Sequence, residues 1–212
     1  MDTFNNKEGA LVMDRMILVI QENKQYLSDI DGAIGDGDHG INMNKGFTMT
    51  REALDKDPGD LSQGFLTLAK ILMMRIGGSM GPLYGKTFKA MGKTLAGQEE
   101  IDAHLFAEAL SAAKASMSAL SPAKVGDKTL VDALYPAIDA FDKAVGAGSD
   151  FKDSLRAMKK AAEEGRDATE NMIAKLGRSS RLGERSKGVI DAGAASCALL
   201  LGVIADTMIE LL

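Results

Sequence analysis

Four prolines in 212 residues leave long stretches of this chain free to be helical, and apolar residues recur through them every three or four positions. Alanine and methionine are plentiful and β-branched residues are sparse, a balance that favours helix almost throughout. The pattern predicts eight helices. The first runs from about Lys7 to Leu27, with Leu11, Val12, Met16, Val19 and Ile20 along one side. The second runs from about Asn44 to Leu54, and the third follows Asp60 as N-cap and reaches Ile76. Pro82 suits the first turn of a fourth helix ending near Leu95. The fifth covers Asp102 to Leu120 and the sixth Lys128 to Val145, with a kink expected at Pro136. The seventh spans Asp150 to Leu176, and the eighth opens at Asp191 and closes the sequence. The expected class is all-α: an up-and-down antiparallel bundle or barrel of eight helices, forming one domain over residues 1–212.

Antiparallel packing of consecutive helices has a further consequence. The loops at 28–43, 77–81, 121–127 and 177–190 fall at one end, and the ordinary turns near 56–60, 96–101 and 146–150 fall at the other. Every chemically unusual loop is thereby gathered on one face.

Composition narrows the function classes. The formal net charge is −5 and no block of Lys and Arg occurs, which argues against a nucleic-acid partner. The longest uncharged stretch, Ala192 to Ala205, is too short to span a bilayer and reads as a buried helix. Asp2, Lys7, Glu8 and Asp14 interrupt any apolar leader, and lone Cys197 can form no intrachain disulfide. A cytoplasmic location is expected.

Within the first unusual loop, Asp31, Asp36 and Asp38 alternate with Gly32, Gly35, Gly37 and Gly40. Carboxylates so close repel one another, and glycines make the backbone costly to order. A hard cation would offset both, since all-oxygen ligands favour Mg²⁺ or Ca²⁺ over zinc or copper. The bland alternative is a solvated acidic turn capping the next helix. An EF-hand does not fit: counted from Asp36, the twelfth position is Phe47, where a bidentate Glu is needed. Mg²⁺ held by few carboxylates completes its shell with water and substrate phosphates, so phosphate chemistry is the leading reading.

Other loops suit that reading. Gly77-Gly78-Ser79-Met80-Gly81 runs into a helix whose free N–H groups would attract an anion, although a simple turn would look similar. It is not a Walker loop. Asp191 to Ser196 begins the last helix with small residues, either for close packing or to leave room for a flat ligand. Arg178 could neutralise a phosphate, His39 could contact a phosphate or nucleotide, and Met80 could cushion an adenine. His104, mid-helix among apolar residues, reads as structural. No Ser-His-Asp or Cys-His arrangement is evident, and phosphoryl transfer requires none.

Taken together, Gly35 through Asn44, Gly81-Pro82-Leu83-Tyr84-Gly85, Gly126-Asp127-Lys128-Thr129, Gly177-Arg178, Leu182 through Ser186 and Asp191-x-Gly193-Ala194 resemble one known family. It is the nucleotide-binding L subunit of bacterial dihydroxyacetone kinase. The resemblance implies an eight-helix barrel with ADP at one end, bridged to the protein by two Mg²⁺ ions on Asp31, Asp36 and Asp38. It places His39, Gly40, Ile41, Asn42, Ser79, Met80, Leu130, Arg178, Asp191, Ala192 and Gly193 around the nucleotide. The aspartates and Arg178 would carry the catalysis. The resemblance also implies that ADP stays bound and is rephosphorylated by a phosphohistidine-bearing M subunit of the sugar phosphotransferase system. The ATP formed then phosphorylates dihydroxyacetone on a K subunit. A homodimer is a further partner to be considered.

This chain reads Gly-Gly-Ser-Met-Gly where Gly-Gly-Ala-Ser-Gly is common, and Ala192 stands where Pro is frequent. The metal positions are untouched, and His39-Gly40-Ile41-Asn42 favours the dihydroxyacetone branch over fatty-acid kinases. Two alternatives stand beside this reading: an ATP-dependent kinase half that exchanges nucleotide with solvent, and a non-catalytic nucleotide- or metal-sensing regulator.

Overall fold

Aspartate starts four of the helices. Asp60, Asp102, Asp150 and Asp191 each accept a hydrogen bond at 2.7–2.8 Å from the backbone N–H three residues on. Each satisfies a donor that the first helical turn would leave free. The computed structural model describes residues 2–212 and is almost wholly helical. Its helices are α1 (Ala10–Glu22), α2 (Lys24–Ile34), α3 (His39–Leu54), α4 (Leu61–Arg75) and α5 (Met80–Leu95). They are followed by α6 (Ala103–Leu120), α7 (Val131–Gly146), α8 (Phe151–Ala168) and α9 (Ala192–Leu211).

Consecutive helices from α3 onward pack side by side, and α9 returns to pack on α1, so the bundle closes into a ring. The ring surrounds one continuous core. Phe106, Phe141 and Phe151 meet there with centroids 5.4–6.1 Å apart, two of the three contacts edge-on. Phe65, Phe88 and Tyr84 form a second aromatic group nearer the open end. Helix α9 is apolar and long enough to cross a membrane by composition, but 67% of its most apolar window is buried by its neighbours. It is the core helix that the uncharged run predicts, extended past Asp206 to Leu211.

Three elements depart from the pattern. The expected first helix is broken at Asn23, whose φ of −99° and ψ of 10° leave helical space. Its side chain and its backbone N–H both donate to the Val19 carbonyl, capping α1. The following α2 runs on to Ile34, so Asp31 lies in a helical turn and only residues 35–38 form the loop. Helix α8 stops at Ala168 instead of Leu176, because the Thr169 hydroxyl donates back to Arg166 O and accepts from Asp191 N–H. The segment that follows is built of 3₁₀ turns. Helix α7 continues through Pro136. The Asp132 carbonyl that Pro136 cannot bond faces Gly165 of α8, where an added Cβ would lie 2.0 Å from that oxygen.

A strand pair was not expected. β1 (Phe4–Asn5) runs antiparallel to β2 (Glu100–Ile101) beneath the ring, at the end away from the unusual loops. Phe4 is buried there against Phe151 at 6.2 Å. The Asn6 side chain donates to Leu95 O and Gln98 O, and its backbone carbonyl accepts from Leu61 N–H. One asparagine thus joins β1 to the start of α4 and the end of α5.

Candidate functional site

The loop between α2 and α3 turns at Gly37, whose φ of 75° suits a residue without Cβ. Above it, one oxygen from each of Asp31, Asp36 and Asp38 can lie within 4.8 Å of the others. Asp31 also anchors the turn: one side-chain oxygen accepts from His39 N–H at 3.2 Å and its backbone carbonyl from Gly35 N–H at 2.5 Å. Partial burial, then the neighbouring charges of Asp36 and Asp31, push the Asp38 carboxyl above its usual range. Arg178 approaches from the far end of the sequence and sets Nη1 2.6 Å from Asp36 Oδ2. Three hard oxygen donors with a single cationic neighbour fit a divalent ion.

Gly40 brings the start of α3 against α2. A Cβ there would lie 2.1 Å from Lys24 O and 2.7 Å from Ser28 N. Gly40 therefore serves helix approach and does not border the cavity, and neither does Ile41, which is 53% exposed.

That cavity, about 360 Å³, opens beside the aspartates at the ring's mouth. The other sequence-predicted residues all border it: Asp31, Asp36, Asp38, His39, Asn42, Ser79, Met80, Leu130, Arg178, Asp191, Ala192 and Gly193. They come from four loops and the helix ends that flank them, all at one end of the bundle, as antiparallel packing requires.

A hydrogen-bonded chain runs through the wall. His39 Nε2 lies 2.8 Å from Ser196 Oγ, and Ser196 Oγ lies 2.7 Å from the Tyr84 hydroxyl, which reaches Gly193 O at 3.1 Å. Burial lowers the His39 pKa despite Asp31, so the ring is neutral near pH 7. Burial likewise raises the Tyr84 phenol well above its ordinary value. Asp191, partly buried at the head of α9, caps Ala194 N–H at 2.8 Å, and burial pushes its pKa up to about 7.

Behind Asp191, Lys128 is fully buried, and burial lowers its pKa. The adjoining turn is fixed by Asp132, which accepts from Gly126 N–H at 2.5 Å and Thr129 N–H at 2.7 Å. Tyr84, Lys128, Asp132 and Ser196 carried no assigned role in the sequence reading. Tyr84 and Lys128 sit inside motifs that the sequence displays, and Tyr84 lies one helical turn from Met80 on the cavity side.

The family model described as "DAK2 domain" matches residues 33–206. The chain belongs to the DAK2 domain family. Among its relatives is a "PTS-dependent dihydroxyacetone kinase, ADP-binding subunit DhaL" of Lactococcus lactis, 41% identical over 90% of each chain. Another is a "PEP-dependent dihydroxyacetone kinase 1, ADP-binding subunit DhaL" of Listeria innocua, 37% identical over 90% of this chain and 91% of that one. The DAK2 fold also matches the crystal structure of the C. freundii dihydroxyacetone kinase, with a TM-score of 0.71 and 24% identity. That match covers 93% of this chain and 34% of the larger kinase. The same kinase in complex with AMP-PNP and Mg²⁺ matches with a TM-score of 0.69 and 22% identity.

Proposed function

We propose that this DAK2 chain is the ADP- and ATP-binding subunit of a phosphoenolpyruvate-dependent dihydroxyacetone kinase, acting as one domain in the cytoplasm. The observation that carries the reading is the meeting of Asp31, Asp36, Asp38 and Arg178 at the mouth of a cavity of nucleotide dimensions. Near-full-length similarity to subunits named for ADP binding supports it, as does the AMP-PNP and Mg²⁺ complex of a kinase with the same fold.

Asp31, Asp36 and Asp38 would hold two Mg²⁺ ions. Bound there, Mg²⁺ supplies charge neutralisation and a template for a diphosphate. Arg178 supplies a further cation to a phosphate, and Ser79 and Met80 bring the N-terminus of α5 to the cavity. Met80, Leu130, Ala192 and Gly193 give the remaining wall a small, apolar surface suited to a base. The site offers positioning and charge and no protein nucleophile, which is what phosphoryl transfer asks of a protein. A phosphoryl group is received from a phosphohistidine-bearing M subunit and passed to dihydroxyacetone held by a K subunit.

Native mass spectrometry of the purified chain is expected to find ADP with two magnesium ions, retained through dialysis. Loss of ADP on dialysis would favour an exchanging kinase half. Failure of the chain to support dihydroxyacetone phosphorylation when mixed with K and M subunits would favour a regulator.

A further inference from the structure

Among the described residues Lys128 is the single non-glycine with positive φ, at 62°. That conformation is costly for a side chain bearing a Cβ. The side chain is fully buried, and its Nζ donates to Met172 O at 3.2 Å, Ser186 O at 2.6 Å and Val189 O at 2.6 Å. Three ammonium protons meet three carbonyls, so the inventory closes. An apolar residue of the same length would leave those carbonyls without this donor in a buried place.

The partners are distributed in a telling way. Met172 lies on the limb leaving α8, and Ser186 and Val189 lie on the limb returning to α9. Between the limbs run the exposed turns that carry Arg178 to Asp36. Two more bonds tie the outgoing limb, from Ala174 N–H to Ser186 Oγ at 2.9 Å and from Lys175 N–H to Asp127 O at 3.1 Å. The first shares Ser186 with the ammonium, and the second ends on the residue that precedes Lys128.

We propose that Lys128 is a positioning residue whose ammonium clamps both limbs of the 172–189 loop, and so delivers Arg178 to the aspartate site. The clamp follows from geometry alone. Its effect on nucleotide rests on the function proposed above.

Lys128→Met keeps the length of the side chain and removes its donors. Trypsin is expected to cut the variant within the loop, at Arg178, Arg181 or Arg185, at least about tenfold faster than the parent, with helical circular dichroism retained. Affinity for ADP in magnesium chloride should fall by the same factor as in Arg178→Ala, and the double variant should be no weaker than Arg178→Ala. Unchanged cleavage would overturn the clamp. Additive losses in the double variant would also overturn it, by making Lys128 a direct ligand contact. If cleavage accelerates but Arg178→Ala binds ADP as the parent does, the clamp stands and the part of Arg178 in holding nucleotide falls; if the parent itself binds no ADP, the clamp stands and the nucleotide reading falls. Should Lys128→Met not fold, ¹⁵N-lysine NMR of the parent decides: a clamped ammonium gives one signal protected from solvent exchange, and its absence refutes the proposal.

Discussion

Asp36 and Arg178 meet at 2.6 Å although α3 through α8 lie between them in the sequence. The arginine side chain is 66% exposed and the aspartate 32%, so the pair is worth no more than about 1 kcal/mol to folding. Asp36→Ala removes that pair but also relieves repulsion from Asp31 and Asp38. The variant should keep its helical spectrum and change apo stability by less than about 1 kcal/mol, with a gain as the more informative sign. Retention of ADP should be abolished. Undiminished ADP affinity by calorimetry would remove Asp36 from the site.

Asp191 makes stability depend on pH in an unusual direction. Its pKa rises from 3.8 to about 7 on folding, so the native state binds the proton more tightly. The stability this supplies is complete below the unfolded value and is lost as pH climbs through the folded one. His39 acts oppositely: its folded pKa is depressed below 6.5, and its contribution disappears as pH falls. Asp191→Asn keeps an oxygen for Ala194 N–H and does not titrate. Urea midpoints of this variant, taken in chelator, should decline less than the parent's between about pH 4 and about pH 7.

Gly40→Ala sets a methyl 2.1 Å from Lys24 O, a backbone atom that cannot step aside. Helix α3 must shift, at about 1–3 kcal/mol, carrying Asp38 and His39 with it. Gly146→Ala is the control, because nothing lies within 4 Å of its added Cβ. Thermal melts should show the first variant lowered and the second unchanged or raised by about 0.5–1 kcal/mol. Equal melting temperatures would contradict the close approach of α2 and α3.

Tyr84→Phe retains the ring stacked on Phe88 at 6.2 Å and removes the hydroxyl between Ser196 and Gly193. Ser196 keeps His39 and the Gly193 carbonyl, so the loss should be modest, about 1–2 kcal/mol. Denaturant unfolding measures it, and a neutral result would show that the chain through the wall carries little energy.

The helical class, the closing α9 and the end at which the aspartates gather could be read from periodicity and loop chemistry, because those signals are local. What could not be read depends on distant partners. Asn23 interrupts a continuous apolar stripe, and nothing nearby marks the break. The charged run after Ala168 reads as more helix, yet Thr169 spends its hydroxyl on Arg166 and on Asp191 across the loop. Gly32 and Gly35 look like loop residues, yet α2 includes the first of them and pulls Asp31 into a helical turn. The strand pair is two residues long on each side, too short for any period to show. Lys128 stands in a visible motif, but its burial shows only once three carbonyls are placed around it.

The stitching of Phe4 and Asn6 beneath the ring divides the molecule into a riveted floor and a compliant rim. Leu95, Gln98 and Leu61 are all fastened through Asn6, which holds α4 and α5 together from below. Whatever enters or leaves the cavity therefore needs to disturb only the rim, and heat should loosen that rim well before the floor lets go.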